Sequence, residues 1–189
     1  FLAISKLKVD ALRNDTSDAE FAGDLNEIGE LTGQAIQQTR SLTFDLSPPV
    51  LYELGLEAAL EALAERMRQQ HPIRIQFAHD RNPKSLSEDL SVLLYRAVRE
   101  LLINIVKHAR ARTARTFVET EERELRITVE DDGCGFDISE INSHNNRVGK
   151  FGLFSIRERL NHLGGRFEIA SQPGQGTRVT LIAPLGPDY

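Results

Sequence analysis

What this chain lacks narrows it first. A single cysteine, Cys134, leaves no pair for a disulfide scaffold and no thiolate cluster for a structural zinc site. No apolar run approaches the roughly 18 residues that a membrane-spanning helix needs. Positive charge is not in excess either: 23 basic against 28 acidic residues give a net charge of −5, which argues against general nucleic-acid binding. Methionine occurs once, at Met67, and the chain opens on Phe1 without a basic n-region or a small-residue cleavage site. It therefore reads as a piece of a longer protein, and not as one led by a secretory signal. Against these absences, 40% of its 189 residues are hydrophobic, enough for one core or one core with a smaller helical appendage.

The appendage comes first. Ile4, Leu7 and Ala11 share one face of a helix already under way at Phe1. After the polar break Asn14-Asp15-Thr16-Ser17, Ser17 and Glu20 have the spacing of a capping box. The helix it predicts carries Phe21, Leu25, Ile28, Thr32, Ala35, Thr39, Leu42 and Leu46, at steps alternating four and three, which is a heptad seam. One helix cannot bury such a seam alone. Folding back onto its own domain would cover it; so would a four-helix bundle made by two chains, the reading that the length of the seam favours. Ser47-Pro48-Pro49 ends the helix, because proline lacks the N–H donor and restricts the residue before it.

From Gly55 the periodicities mix. Leu56, Leu60, Leu63 and Met67 form one helical face, and Ile73, Ile75 and Phe77 alternate as a strand. A long helix is predicted over 87–109, then strands over 116–120 and 125–130 joined by the charged turn Glu121-Glu122-Arg123-Glu124. A polar stretch, 137–149, precedes a short helix with Leu153, Ile156, Leu160 and Leu163 inward, closed by Gly164-Gly165 as a left-handed cap. Strands over 166–171 and 177–182 finish as a hairpin. The order predicts an α+β fold: a two-layer sandwich with helices on one face of a mixed sheet, preceded by a helical hairpin.

Chemistry concentrates at a few points. Glu100, Asn104, Lys107 and His108 fall at i, i+4, i+7 and i+8 of the long helix, one polar stripe opposite the leucines. A solvated face would look the same, with Lys107 and His108 at the negative helix end. Asn104, however, is a poor helix former where Glu or Lys would serve better, and the stripe offers oxygen for a hard cation and positive charge for phosphates. The loop Asp131-Asp132-Gly133-Cys134-Gly135-Phe136 reads either as an Asp-Gly hairpin turn or as a bend whose glycines admit a ligand while Asp131 accepts its hydrogen bond. An EF-hand fails on acidic spacing, a dinucleotide fingerprint fails at Ile138, and a Walker A loop fails at His144 and Phe151. Gly152 opens a helix whose N-terminus can hold phosphate, and Gly174-Gln175-Gly176-Thr177 is a further glycine turn.

In this order these motifs resemble the catalytic, ATP-binding domain of bacterial sensor histidine kinases, in the superfamily that also holds DNA gyrase, a heat-shock chaperone and anti-sigma-factor kinases. The N box is similar to Glu100–Ala109, and the three glycine boxes to Asp131–Phe136, Gly149–Leu153 and Gly174–Thr177. Leu46–Leu56 and Phe151–Arg159 resemble the nitrate/nitrite-sensor-like subfamily, with Ser155-Ile156 where that subfamily reads Gly-Met. The resemblance implies a Bergerat-type fold over residues 50–189 after a partial dimerisation hairpin, 1–46. It implies ATP and Mg²⁺ as cofactors: Asp131 on the adenine amine with Gly133, Gly135 and Thr177 around the base, Asn104 on the metal, and Lys107 and His108 toward the phosphates. Lys150, Gly152 and Leu153 would also bind the nucleotide, 137–150 would form a lid over the triphosphate, and Glu100 would order water around the metal or act as a base. It further implies a homodimer through residues 1–46, in the cytoplasm or as the cytoplasmic part of a membrane-anchored sensor, whose partner is a response regulator receiver domain. The family's acceptor histidine, followed by an acidic residue in a dimerisation helix, matches none of His71, His79, His108, His144 or His162. The chain is thus expected to bind ATP without phosphorylating itself. A nucleotide-binding regulator or an anti-sigma-type serine kinase is the other reading; the heptad hairpin favours the histidine kinase.

Overall fold

The computed structural model describes residues 1–16, 19–46, 48–82, 85–138 and 150–186, with side chains at all of these except 19–20, 36–46 and 150–151. The chain forms two compact units, Phe1–Pro48 and Pro49–Tyr189. In the first, α1 (Leu2–Asp15) and α2 (Ala19–Leu46) run antiparallel. Arg13 donates to Asn26 Oδ1 at 3.2 Å, while Gly29 lies against Val9 and Asp10. This pairing buries Leu25 of the seam but leaves Phe21 and Ile28 exposed, along with Ile4 and Leu7 of α1. Thr32 satisfies its own hydroxyl on the Ile28 carbonyl at 2.7 Å, so it can occupy an apolar seam without an orphaned donor. The Ser17–Glu20 capping box and the side chains of Thr39, Leu42 and Leu46 lie outside the described residues.

The second unit opens with a short helix that the proline pair concealed. Pro49 stands first in α3 (Pro49–Glu53), where a missing N–H costs nothing and the fixed φ suits a helix. Next come α4 (Gly55–Gln70), β1 (Arg74–His79), α5 (Glu88–Asn104), β2 (Thr113–Glu121), β3 (Glu124–Asp131), α6 (Lys150–His162), β4 (Arg166–Ser171) and β5 (Thr177–Pro184). The sheet order is β1-β2-β3-β5-β4. β1 and β2 are parallel, linked by the α5 crossover that parallel pairing requires, and the remaining pairs are antiparallel. Ser87 caps α5 by accepting from the Leu90 N–H. The α6 terminus is a Schellman motif: Gly164 has φ +76°, its N–H reaches the Asn161 carbonyl, and the Gly165 N–H reaches Leu160.

The sandwich has the expected two layers. Leu60 of α4, Leu94 and Val98 of α5, and Leu160 of α6 share one core with Val118, Ile127 and Leu181 of the sheet. Among the described residues the opposite face carries no helix, and charge covers much of it. Arg115 donates to Gln76 and sits 3.7 Å from Glu130, which also accepts from Arg178 at 2.7 and 3.0 Å. Arg166 grips Glu124 through both carboxylate oxygens. Ile182, placed by register between Arg126 and Arg166, is only 1% exposed, an apolar side chain roofed by arginine stems. Two boundaries differ from expectation. β2 starts at Thr113, three residues before Thr116, and α5 passes at Ile105 into one π-helical turn, Ile105–Ala109, ended by Arg110 at φ +53°.

The β2–β3 turn is reduced to Glu122 and Arg123, with Glu121 paired to Glu124. Glu122 has φ +55°, the backbone conformation for which hairpin turns take glycine. Glu122→Gly is expected to raise stability by about 0.5–1 kcal/mol, backbone relief exceeding the added freedom of the unfolded chain. The shift in urea midpoint at constant slope measures it; an unchanged midpoint would mean the turn stores no strain.

Candidate functional site

The strand register gathers the site. Ala114, Asp131, Thr177 and Ser171 form one row across β2, β3, β5 and β4 on the helix-bearing face, at the end of the sheet where β3 stops. The loop after Asp131 is pressed between two other segments. A Cβ on Gly133 would stand 2.3 Å from the Ala109 carbonyl oxygen, and one on Gly135 would stand 2.1 Å from that of Gln172. On Gly176 it would meet the Asp131 carbonyl at 2.0 Å. Hydrogen bonds close the same contacts: Cys134 N–H to Ala109 O and Gly174 N–H to Cys134 O, each 2.7 Å. The glycines of this loop are thus required by protein backbone.

The polar stripe of the long helix is altered by the π turn. Glu100 and Asn104 stay half-buried on the α-helical part, while Lys107 and His108 lie on the wider turn, exposed. Ala109, the last residue of that turn, is what the glycine loop touches, so the π turn sets where the loop after Asp131 meets the end of the long helix. Glu100 meets α6 at Gly152, where a Cβ would come within 2.8 Å of its Oε1. Gly152 thus lies against the end of the Glu100 side chain, which could swing aside for a Cβ, and Leu153 beside it is half-buried. The Lys150 side chain and residues 139–149, which include most of the expected lid and His144, fall outside the described residues.

The two adjacent carboxylates behave oppositely. Burial pushes the Asp131 carboxyl above its usual 3.8, and the neighbouring Asp132 charge adds to this. The N–H groups of Gly133, 2.7 Å away, and of Thr177 pull the other way without overcoming it. Asp132 is held below 3.8 because its Oδ1 accepts the N–H groups of Thr113 and Arg112, both at 2.8 Å. Asp132 is thus a strand-end clasp, whereas Asp131 is a partly desolvated charge. A cleft of about 590 Å³ opens at this end of the sheet, touched by Asp131, Ile138, Ser171 and Thr177 on one side and by Arg115 and Arg178 on the other. It wraps around the strand ends, and Glu100, Asn104, Lys107 and His108 do not line it.

His79-Asp80, the only His-acid pair in the chain, lies at the end of β1: Asp80 holds the Thr120 N–H at 2.7 Å and belongs to the sheet. Among the described residues no group of three or more His, Cys, Asp or Glu could hold a metal, and no helix is long and apolar enough to cross a membrane. Ser171, Asp132 and Ala109 were not singled out in the sequence. Their parts depend on register and on backbone atoms, which leave no pattern in residue type.

Residues 89–187 match the family model described as histidine kinase-, DNA gyrase B- and HSP90-like ATPase. Among curated proteins, the sensor histidine kinase ComP of Bacillus subtilis is 32% identical over 88% of this chain and 21% of its own length. The signal transduction histidine-protein kinase/phosphatase DegS of Brevibacillus brevis is 26% identical over 94% of this chain and 45% of its own. The chain therefore spans less than half the length of these relatives. Among solved structures, the histidine kinase domain of the blue-light activated histidine kinase EL346 from Erythrobacter litoralis superposes with a TM-score of 0.61 at 19% identity. That superposition covers 97% of this chain and 94% of the other.

The raised pKa of Asp131 has a definite sign for stability. The fold binds this proton more tightly than the unfolded chain does, so the contribution of Asp131 favours the fold at acid pH and is lost as pH rises through its folded pKa. Asp131→Asn, which can still accept from Gly133, is expected to raise the thermal midpoint at pH 7. The gain should vanish as pH falls below about 4. A midpoint at pH 7 equal to or below that of the unsubstituted chain would contradict the desolvation of Asp131.

Proposed function

Because the chain belongs to the family of histidine kinase-, DNA gyrase B- and HSP90-like ATPases, we propose that it is the ATP-binding catalytic region of a two-component sensor histidine kinase, together with part of its dimerisation helices. The observation that carries this reading is Asp131, a half-buried carboxylate on the helix face beside Thr177, anchored through one oxygen by the Gly133 N–H. An acceptor partly withdrawn from water suits the exocyclic amine of adenine, since the amine restores hydrogen bonding that burial removed. Gly133 and Gly135 hold the loop under the base, and Thr177 borders it.

The remaining residues fit the other end of a nucleotide. Asn104 offers one amide oxygen from a half-buried position, sufficient for Mg²⁺, which keeps several waters and takes few protein ligands when phosphates complete its shell. Lys107, exposed on the π turn with His108 beside it, would bring positive charge to the phosphates. Lys150, with Gly152 and Leu153 in the first turn of α6, contributes further charge and free N–H groups. Glu100, held against Gly152, orders water about the metal. When bound, ATP supplies the γ-phosphoryl group, and the protein's work is positioning and charge neutralisation more than covalent chemistry. The acceptor is a histidine of the dimerisation helices beyond these 189 residues, from which a response regulator receives the phosphoryl group in the cytoplasm.

The apolar seam of α1 and α2 belongs to this reading. Leu7, Phe21 and Ile28 are uncovered in the single hairpin, and a second copy packing as a four-helix bundle would bury them. The protein is accordingly expected to sediment as a dimer, and Ile28→Glu as a monomer with ATP affinity intact; a wild-type monomer at micromolar concentration would rule out this use of the seam.

ATP binding tests the catalytic assignment directly. Titration calorimetry is expected to show Mg²⁺-dependent ATP binding that Asp131→Asn weakens at least about tenfold and Asn104→Ala strips of its Mg²⁺ dependence. Labelled ATP should leave no phosphohistidine on the chain. Undiminished affinity in Asp131→Asn would sink the adenine assignment.

A further inference from the structure

Ser171 ends β4 directly opposite Thr177 and is 9% exposed. Its Oγ has three partners: it lies 2.9 Å from the Phe136 N–H, 3.0 Å from the Gly176 carbonyl oxygen and 3.0 Å from Thr177 Oγ1. A serine hydroxyl has one proton and two lone pairs. The Phe136 N–H can only donate, so it takes a lone pair. The Gly176 carbonyl can only accept, so it takes the proton. One lone pair remains, and the Thr177 hydroxyl must therefore donate to it. With its proton spent on Ser171, Thr177 Oγ1 has nothing but lone pairs to offer a ligand.

We infer that Ser171 is a positioning residue for base specificity: by fixing the direction of the Thr177 hydroxyl, it makes the floor beside Asp131 a surface of acceptors only. Asp131 and Thr177 are register partners on one face, so a carboxylate and an acceptor hydroxyl stand next to each other. Such a pair takes an amino group, which has two N–H donors, and repels a carbonyl oxygen at the same place. Ser171 also ties Phe136, the last residue of the glycine loop, to the end of β4, so one hydroxyl couples that loop to Thr177. The inference rests on the adenine reading given above, and it goes further by naming what discriminates 6-amino from 6-oxo purines without touching either.

The test compares the affinities of the intact 189-residue protein for ATP and inosine triphosphate, which replaces the amino group by a carbonyl. The wild type is expected to prefer ATP. In Ser171→Ala the Thr177 hydroxyl is free to turn and donate, and the ATP-to-inosine-triphosphate affinity ratio is expected to fall at least about fivefold, the scale of one neutral hydrogen bond. Ser171→Thr, which keeps the hydroxyl, should restore the ratio, and in a Thr177→Val background Ser171→Ala should not change it further. A purely structural loss would weaken both nucleotides alike and leave the ratio as it was. An unchanged ratio in Ser171→Ala, or an equal fall in the Thr177→Val background, overturns the inference. Should Ser171→Ala fail to fold, Ser171→Cys, with a weaker donor and acceptor, is read the same way and should lower the ratio. If the wild type binds no ATP, or Asp131→Asn binds it as well as the wild type does, the adenine reading falls and this inference with it. If those two controls behave and the ratio does not move, only the role of Ser171 is lost.

Discussion

Contact of backbone with backbone at the glycine loop is the constraint on which the rest of the site depends. Gly133 lies against the carbonyl of Ala109, Gly135 against that of Gln172, and Gly176 against that of Asp131, each closer than any side-chain carbon could come. Three separate parts of the chain, the end of the long helix, the end of β3 and the β4–β5 turn, are thereby held at hydrogen-bonding distance. None of them is long or apolar enough there to be fixed by burial. What fixes them is the obligation of peptide groups to find partners once water has been excluded. Asp131 inherits its position from that closure, since the Gly133 N–H that orients its carboxylate belongs to the same loop.

The two faces of the sheet solve opposite problems with one alternation. The inward rows meet α4, α5 and α6 and are mostly apolar; the outward rows carry Arg115, Glu130, Arg178, Arg126 and Arg166. Exposed ion pairs of this kind contribute little stability each, but their stems cover apolar side chains such as Ile182, and their charge discourages edge-to-edge association. Asp131 breaks the alternation: it is a charged residue in an inward row, half-buried at the end of β3. A fold that retains a desolvated carboxylate gives up stability at neutral pH in return for an acceptor that a ligand can satisfy.

Much of this was legible in residue order. The 3.6 periodicity at Leu56–Met67 and Leu90–Leu101, the alternation at Ile73–Phe77, and Gly164-Gly165 after the short helix each state a local preference strong enough to survive folding. Errors came where a local rule was correct but incomplete. Pro48-Pro49 does end one helix, and the same chemistry starts the next. The stripe Glu100, Asn104, Lys107, His108 assumes 3.6 residues per turn, whereas the helix widens at Ile105, a change that residue types do not announce. The β2 start at Thr113 was missed because Asp132, nineteen residues later in the chain, supplies the acceptor that orders it.

Composition, periodicity and the glycine motifs were enough to set the fold class, the division into a helical hairpin and a sandwich, and the short list of residues able to do chemistry. Those properties follow from side-chain type and spacing, which are written along the chain. The folded molecule assigned the work within that list. It showed that the loop glycines make room for backbone, that Asp131 and Asp132 are shifted in opposite directions, and that Ser171 lies within hydrogen-bonding reach of the Thr177 hydroxyl. Each of these is a matter of which atoms lie within 3 Å across strands and loops distant in sequence. Proton direction and desolvation are properties of such neighbourhoods, and a linear order of residues does not contain them.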